Sequence, residues 1–394
     1  MTEFSKRIDY LKDSPTLKLN DRINFLKGQG KDIINLTVGE PNYYEPIVSS
    51  EAAISAIQKH FTHYTNSSGI LSLRKNICEK LSKENNLNYS PQQITVSTGG
   101  KQALFNTLSV LVNYGDEVII PTPAWPSYEA QVRLVGGIPN MVQLNEETNF
   151  KLTPDILEKN ISNKTKVLLL NSPSNPTGAT YHKEEMVELA RIIEENGLIV
   201  ISDEIYERLV YDIDFISPAS LSDYMYENTI TINGFSKSFG MTGWRIGYSA
   251  APIEIATKIS AFQSQITASI SSISQVAAEN AVLNFDYSHV EDLKTCRDYL
   301  MDIITDNTDL LLPNRPDGSF YLFPNLEKLF GKKFFGHIIT SDEDFCELLL
   351  SEVGVALTPG SFFNAPRNVR ISYAKSFDEI QEAGKRLIKF FGDE

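Results

Sequence analysis

Sulfur, imidazole and indole are scarce in this chain: 394 residues contain three cysteines, five histidines and two tryptophans. Cys78, Cys296 and Cys346 stand far apart, with no CxxC pair and no histidine at zinc-ligand spacing. That pattern predicts reduced, mostly buried thiols and no metal centre; His60 and His63 are at most a weak pair at a helix end. Positive charge is also in deficit, 36 Lys plus Arg against 50 Asp plus Glu, for a net charge of −14. A chain so acidic repels phosphate backbones and anionic lipid, so nucleic acid is excluded as a partner, although a local cluster of bases can still reverse the potential inside one cleft. No run is apolar enough to span a membrane, since the longest uncharged stretch, Ile259 to Ala278, is rich in Ser, Gln and Thr. An acid at position 3 and no apolar stretch behind it argue against a signal peptide, and the expectation is a cytoplasmic protein.

Hydrophobic residues make up 42% of the chain, enough for roughly two to three domains' worth of core. Between about Ile94 and Pro252, short runs that are apolar on both faces recur: Ile94–Ser97, Glu117–Ile120, Val167–Leu170, Leu198–Ile201 and Thr229–Ile232. Helix-like stretches such as Lys101–Val112 and Lys183–Glu195 lie between them. Strand alternating with helix predicts a mostly parallel sheet between helices, an α/β fold. The two ends of the chain mix strand-like pieces (Gly318–Phe323, Val369–Tyr373) with helices (Ser341–Glu352, Ser376–Phe391), and a long helix from about Val290 to Leu311 could join the two parts. The expected division is a large domain over 46–290 and a smaller α+β domain from 1–45 and 291–394.

Ligands of an open parallel sheet bind beyond the carboxyl ends of its strands. Behind the first apolar run come Thr98-Gly99-Gly100-Lys101, which is either a plain strand-to-helix turn or the start of a helix whose free amides suit a phosphate. Behind the second, Trp125 sits on a loop stiffened by prolines, where it can stack on a flat ring or simply pack. Behind the third comes Asn171-Ser172-Pro173-Ser174-Asn175-Pro176, which can present the Asn175 amide. Asp203 closes the fourth run and needs a cation or several donors there, whether as a site residue or in a structural pair. The fifth leads into Ser236-Lys237-Ser238-Phe239-Gly240, with Arg245 shortly after. In the small domain, the alternation of Val369 to Ala374 places Arg370 among small residues, able to grip a carboxylate or an ordinary surface partner. One ligand accounts for all of these together. Pyridoxal phosphate needs a lysine for its imine, a carboxylate for its ring nitrogen, phosphate donors and a flat neighbour.

With these residues in view, the sequence resembles the class I aminotransferases of pyridoxal-phosphate fold type I, in their bacterial aspartate-aminotransferase-like branch. The likeness runs from about Ser14 to Ala374 and is carried by Ser236–Tyr248, Asn175-Pro176-Thr177-Gly178, Ser202-Asp203-Glu204-Ile205-Tyr206 and Leu36–Pro41. It implies that Lys237, Asp203 and Tyr206 are catalytic, Lys237 carrying the cofactor and Asp203 pairing with its ring nitrogen. Asn175 and Tyr206 would hold the phenolic oxygen and Trp125 would stack on the ring. The Gly100 and Lys101 amides, Ser236 and Arg245 would hold the phosphate, and Tyr64 would reach the partner site of a homodimer. Gly39 and Arg370 would bind the substrate α-carboxylate beside Trp125 and Asn175, and Lys101 with Thr16 would read a second carboxylate. The implied reaction is ping-pong transfer of an amino group from an amino acid, aspartate leading, to a 2-oxo acid, 2-oxoglutarate leading. Transamination of aromatic or other amino acids, β-elimination and amino-acid oxidation use the same residues and stay open.

Overall fold

The computed structural model describes Ser5, Ile8 and residues 15–392, with the side chains of 15–17 outside the described residues. Its centre is a seven-stranded sheet, in chain order β1 (Ile94–Ser97), β2 (Glu117–Thr122), β3 (Ile138–Gln143), β4 (Thr165–Asn171), β5 (Ile199–Asp203), β6 (Thr229–Gly234) and β7 (Gly247–Ala250). In space the order is β1-β7-β6-β5-β4-β2-β3, and only β7 runs antiparallel to its neighbours. The central strands are buried along nearly their whole length, which is why they read as unbroken apolar runs.

Two strands of this central sheet escaped the sequence reading. β3 lies at the sheet edge, contains Pro139 and is mostly half-exposed, so it lacks the apolar run of a central strand. β7 is four residues long and reads as part of the polar motif before it. Its reversal has a use: its amino end lies beside Ser97 and Gly234, at the end of the sheet where the parallel strands finish, and it delivers Arg245 there. A Cβ on Gly247 would sit 2.5 Å from the Gly100 nitrogen, so the glycine lets a helix start directly on the sheet.

Ile34 and Leu36 share an apolar cluster with residues drawn from 290–390, including Leu300, Phe345, Leu387 and Phe390. Ile34–Asn35 pairs in parallel with Val355–Ala356, and Val369–Ser372 forms a three-stranded antiparallel sheet with Thr358–Pro359 and Tyr321–Leu322. The expected strand over Gly318–Phe323 shrinks to two residues because Ser319 turns to a positive φ of 58°. The expected joining helix runs Ser288–Asn307 and stops where Thr308 becomes extended. Ser341 and Ser376 each cap the following helix by accepting an amide hydrogen bond.

A buried ionic cluster holds the helix Leu71–Asn85 beneath the segment that follows β5. Lys80 pairs with Glu207, Asn85 donates to Glu207 at 2.7 Å, and Arg208 grips Glu84 with both Nε and Nη2. Residues 203–206 are thereby fixed from behind. Among the described residues no helix is long and apolar enough to cross a membrane.

Candidate active site

Lys237 lies in the turn after β6, partly reached by solvent. Its Nζ donates to the carbonyl of Gly39, and its own carbonyl accepts the Tyr43 hydroxyl at 2.5 Å. Tyr43 is stacked on His289, with ring centroids 4.0 Å apart. Burial, aided by Arg370 and Arg245, brings the ammonium of Lys237 down to about 8 against the pull of Glu40 and Asp203. An amine poised there is a nucleophile and a base near neutral pH.

Asp203 ends β5 and is buried. Its Oδ2 accepts the Tyr128 hydroxyl at 2.7 Å and its Oδ1 the Ile205 amide at 3.3 Å, and among the described residues no cation pairs with it. Burial raises the carboxyl to about 6, opposed by those two donors and by the charge of Lys237. Asn171 links this strand end to the next, donating to the Asp203 carbonyl at 2.9 Å and accepting from the Asn175 amide at 2.8 Å.

Arg370 is the counterpart: a buried cation that no carboxylate among the described residues pairs with. Nη1 donates to Asn175 Oδ1 at 2.9 Å and Nη2 to the Thr37 carbonyl at 2.6 Å, while Nε has no partner among the described residues. Its guanidinium lies 4.5 Å from the ring centre of Tyr321 and 4.8 Å from that of Phe363. The Tyr321 hydroxyl bonds that of Tyr206 at 2.9 Å. A Cβ on Gly39 would meet the same hydroxyl at 2.7 Å, so only glycine fits there without a shift. Since Arg370 binds the carbonyl of Thr37 and Lys237 that of Gly39, one short segment spans both.

The phosphate candidates converge on the start of helix Gly100–Leu111. Gly99, at φ +81°, caps it, and Thr98 donates to Gln102 Oε1 at 2.7 Å, while the Gly100 and Lys101 amides are among those that no helical carbonyl satisfies. Arg245 Nη2 is 2.8 Å from the place a Gly99 Cβ would take. That guanidinium is exposed, donates only to the Thr242 carbonyl at 2.9 Å and pairs with no carboxylate among the described residues. Ser236 is buried beside Lys237 in sequence.

Trp125 is half-buried, edge-on to Tyr128 at 5.4 Å, with the Lys101 ammonium 4.5 Å from its ring centre. Tyr64 is 89% exposed and has no hydrogen bond or ring contact with the gathered residues. Thr16 belongs to the helix Pro15–Gly28, but its side chain lies outside the described residues. Two side chains that bond the gathered residues escaped the sequence reading, Tyr128 at Asp203 and Tyr321 at Tyr206. For Tyr128 a signal was there: Asp203 demanded donors, and Tyr128 follows Trp125 by three residues at a strand end.

The family profile described as aminotransferase class I and II matches residues 31–387. The chain belongs to that family. It is an aminotransferase, and its architecture is that of the fold type I members. It is 41% identical to the aspartate/prephenate aminotransferase of Cereibacter sphaeroides, over 99% of each chain. The crystal structure of the aspartate aminotransferase from Rhizobium meliloti superposes with a TM-score of 0.94 at 37% identity, covering 100% of both chains. That of the Thermus thermophilus aspartate aminotransferase with maleate gives 0.91 at 37% identity, covering 99% of this chain and 100% of the other. In this aminotransferase the strand ends chosen from the sequence do converge: Lys237, Asp203, Asn175, Tyr206 and Arg370 are tied through one network of hydrogen bonds and charges.

Proposed function

We propose that this aminotransferase works with pyridoxal phosphate on dicarboxylic amino acids, aspartate being the leading donor and 2-oxoglutarate the leading acceptor. The observation that carries the reading is a pair of opposite buried charges that both act on Lys237 and that have no ionic partner among the described residues. Among the described residues Asp203 lacks a cation and Arg370 lacks an anion. A protonated ring nitrogen satisfies the first and a substrate carboxylate the second, so cofactor and amino acid together remove two desolvation costs that the protein alone carries.

The donor set fits the cofactor. Asp203 would hold the proton on the ring nitrogen, Tyr206 and the Asn175 amino group would face the phenolic oxygen, and Trp125 would lie along the ring. The Gly100 and Lys101 amides, Ser236 and Arg245 would hold the phosphate. Bound there, pyridoxal phosphate supplies an electron sink for the bonds of the amino acid's α-carbon. The protein's own tasks are then few. Arg370 and Gly39 orient the α-carboxylate, and the Lys237 amine takes the α-proton at Nζ and gives it back as a positioned base and acid.

Lys101, whose ammonium stands 4.5 Å from the ring centre of Trp125, is the group proposed to read a second carboxylate. The maleate named for the Thermus enzyme is a dicarboxylate, and this supports the assignment. A homodimer belongs to the proposal, supported by the exposed apolar side chains of Ile47, Ile54, Ile57 and Phe61 next to Tyr64. So do the domains 46–290 and 1–45 with 291–394, and a cytoplasmic location, supported by three unpaired thiols.

The test is the absorption spectrum of the cofactor-loaded protein while amino acids are added singly without an oxo acid. Aspartate and glutamate are expected to convert the band of the lysine-bound cofactor to that of its amine form. Arg370→Ala should weaken every amino acid by at least about tenfold. Lys101→Ala should weaken only the dicarboxylic ones; equal losses across the panel would remove the reason for naming aspartate.

A further inference from the structure

Tyr321 stands where the two halves of the site meet. It occupies the short strand Tyr321–Leu322 opposite Ser372, so Arg370, two residues back along the partner strand, shares its face of the sheet. Its ring is fully buried beneath the Arg370 guanidinium, its hydroxyl bonds that of Tyr206 at 2.9 Å, and the same hydroxyl closes off the space beside Gly39. The titratable groups that act on it are Arg370 and Tyr206.

We propose that Tyr321 is a positioning residue that acts on both reactants at once, aiming the Tyr206 hydroxyl with its own and bedding Arg370 on its ring. The proposal rests on the reading of Tyr206 as a cofactor-facing donor and Arg370 as a carboxylate clamp. Two phenols that share one hydrogen bond have one hydrogen left over, and the direction of the bond decides which oxygen keeps it. A guanidinium against the Tyr321 ring makes that phenol the more acidic of the two and hence the better donor. Tyr321 therefore donates to Tyr206, and the Tyr206 hydrogen remains available to a ligand oxygen. With Tyr321 removed, Tyr206 loses the donor that fixes its lone pair, and its own donation weakens and turns more freely.

The decisive measurement is a pH titration of the absorption of the bound cofactor, which reports the proton on the nitrogen shared with Lys237. The charged groups that act on that nitrogen, Glu40, Arg370, Arg245 and Asp203, are unchanged in the variants, so a shift is traceable to the phenols. Tyr321→Phe weakens stabilisation of the negative cofactor oxygen and is expected to raise proton affinity about 3- to 10-fold, a midpoint higher by about 0.5 to 1 unit. In a Tyr206→Phe background the same substitution is expected to add no shift, because its route is gone. Tyr321→Leu, which also takes the ring from under Arg370, is expected to raise KM for all amino acids about 3- to 10-fold beyond Tyr321→Phe. Thermal melts of each variant check the fold. An unmoved midpoint in Tyr321→Phe, or an equal shift in the Tyr206→Phe background, overturns the proposal while leaving the cofactor reading intact. A wild-type protein that develops no cofactor band overturns both.

Discussion

At the scale of single residues, the site holds charges against the preference of its surroundings. Asp203 is the clearest case, a carboxylate lifted to about 6 by burial with only Tyr128 and one amide to satisfy it. Because its folded pKa lies above its unfolded value, the folded state favours the neutral acid. Its contribution to stability is kept below about pH 4 and lost as pH rises through about 6. Asp203→Asn, which still accepts from Tyr128, should therefore stabilise the cofactor-free protein at pH 8 by about 1–3 kcal/mol and leave it nearly unchanged at pH 3.5. Turnover should be lost in the same variant. Urea melts at the two pH values check the first half, and a better-folded wild type at pH 8 would refute it. Each candidate stood out by its place in the pattern, Asp203 as a charge closing an apolar run, Lys237 as a base in the turn after another, and Arg370 as a charge on the small-residue face of an alternating strand. Tyr128 and Tyr321 did not, because a buried tyrosine reads as core, and the partners of their hydroxyls lie 75 and 115 residues away.

At the scale of elements, the segment Gly39–Tyr43 acts as a strap across the lysine turn. Gly39 takes the Lys237 ammonium, Tyr43 takes its carbonyl, and Glu40 accepts the Thr242 hydroxyl. The strap lies so close that a Cβ on Gly240, already at φ +62°, would come 2.3 Å from the Tyr43 carbonyl oxygen. Gly240→Ala should cost about 1–3 kcal/mol of stability from backbone strain and overlap, and it should lower kcat by displacing Lys237. Denaturant midpoints and steady-state rates test this, and a variant with wild-type values for both would show that the strap yields freely. The sheet was readable where its strands are buried on both faces and unreadable where they are not. The edge strand β3 is broken in pattern by Pro139, and β7 is short and reversed. Periodicity senses the environment of a strand; it carries nothing about direction or neighbour.

At the scale of the whole molecule, the helix Ile47–Gln58 presents Ile47, Ile54 and Ile57 to solvent, one turn or two apart on one face, with Phe61 and Tyr64 following. In the proposed dimer that face is covered. Ile57→Glu should convert the wild-type dimer to a species of half the mass in sedimentation, and activity should fall with it as Tyr64 loses its destination; a monomeric wild type would overturn the dimer reading. The general α/β architecture was legible from alternation alone, while the way the two ends of the chain come together was legible only in outline. Pairs such as Ile34 with Val355 are set by tertiary packing that no local pattern records. That pairing also orders events in time. Arg370 binds the Thr37 carbonyl across 333 residues of chain. At about 5–20 residues per second, a ribosome needs roughly 20 seconds to a minute to pass from one to the other. Through that interval the growing chain can assemble its sheet and its lysine turn while the guanidinium that reaches back to Thr37 has yet to be translated, so on the proposed roles the nascent protein would acquire the means to hold a cofactor before it can select a substrate.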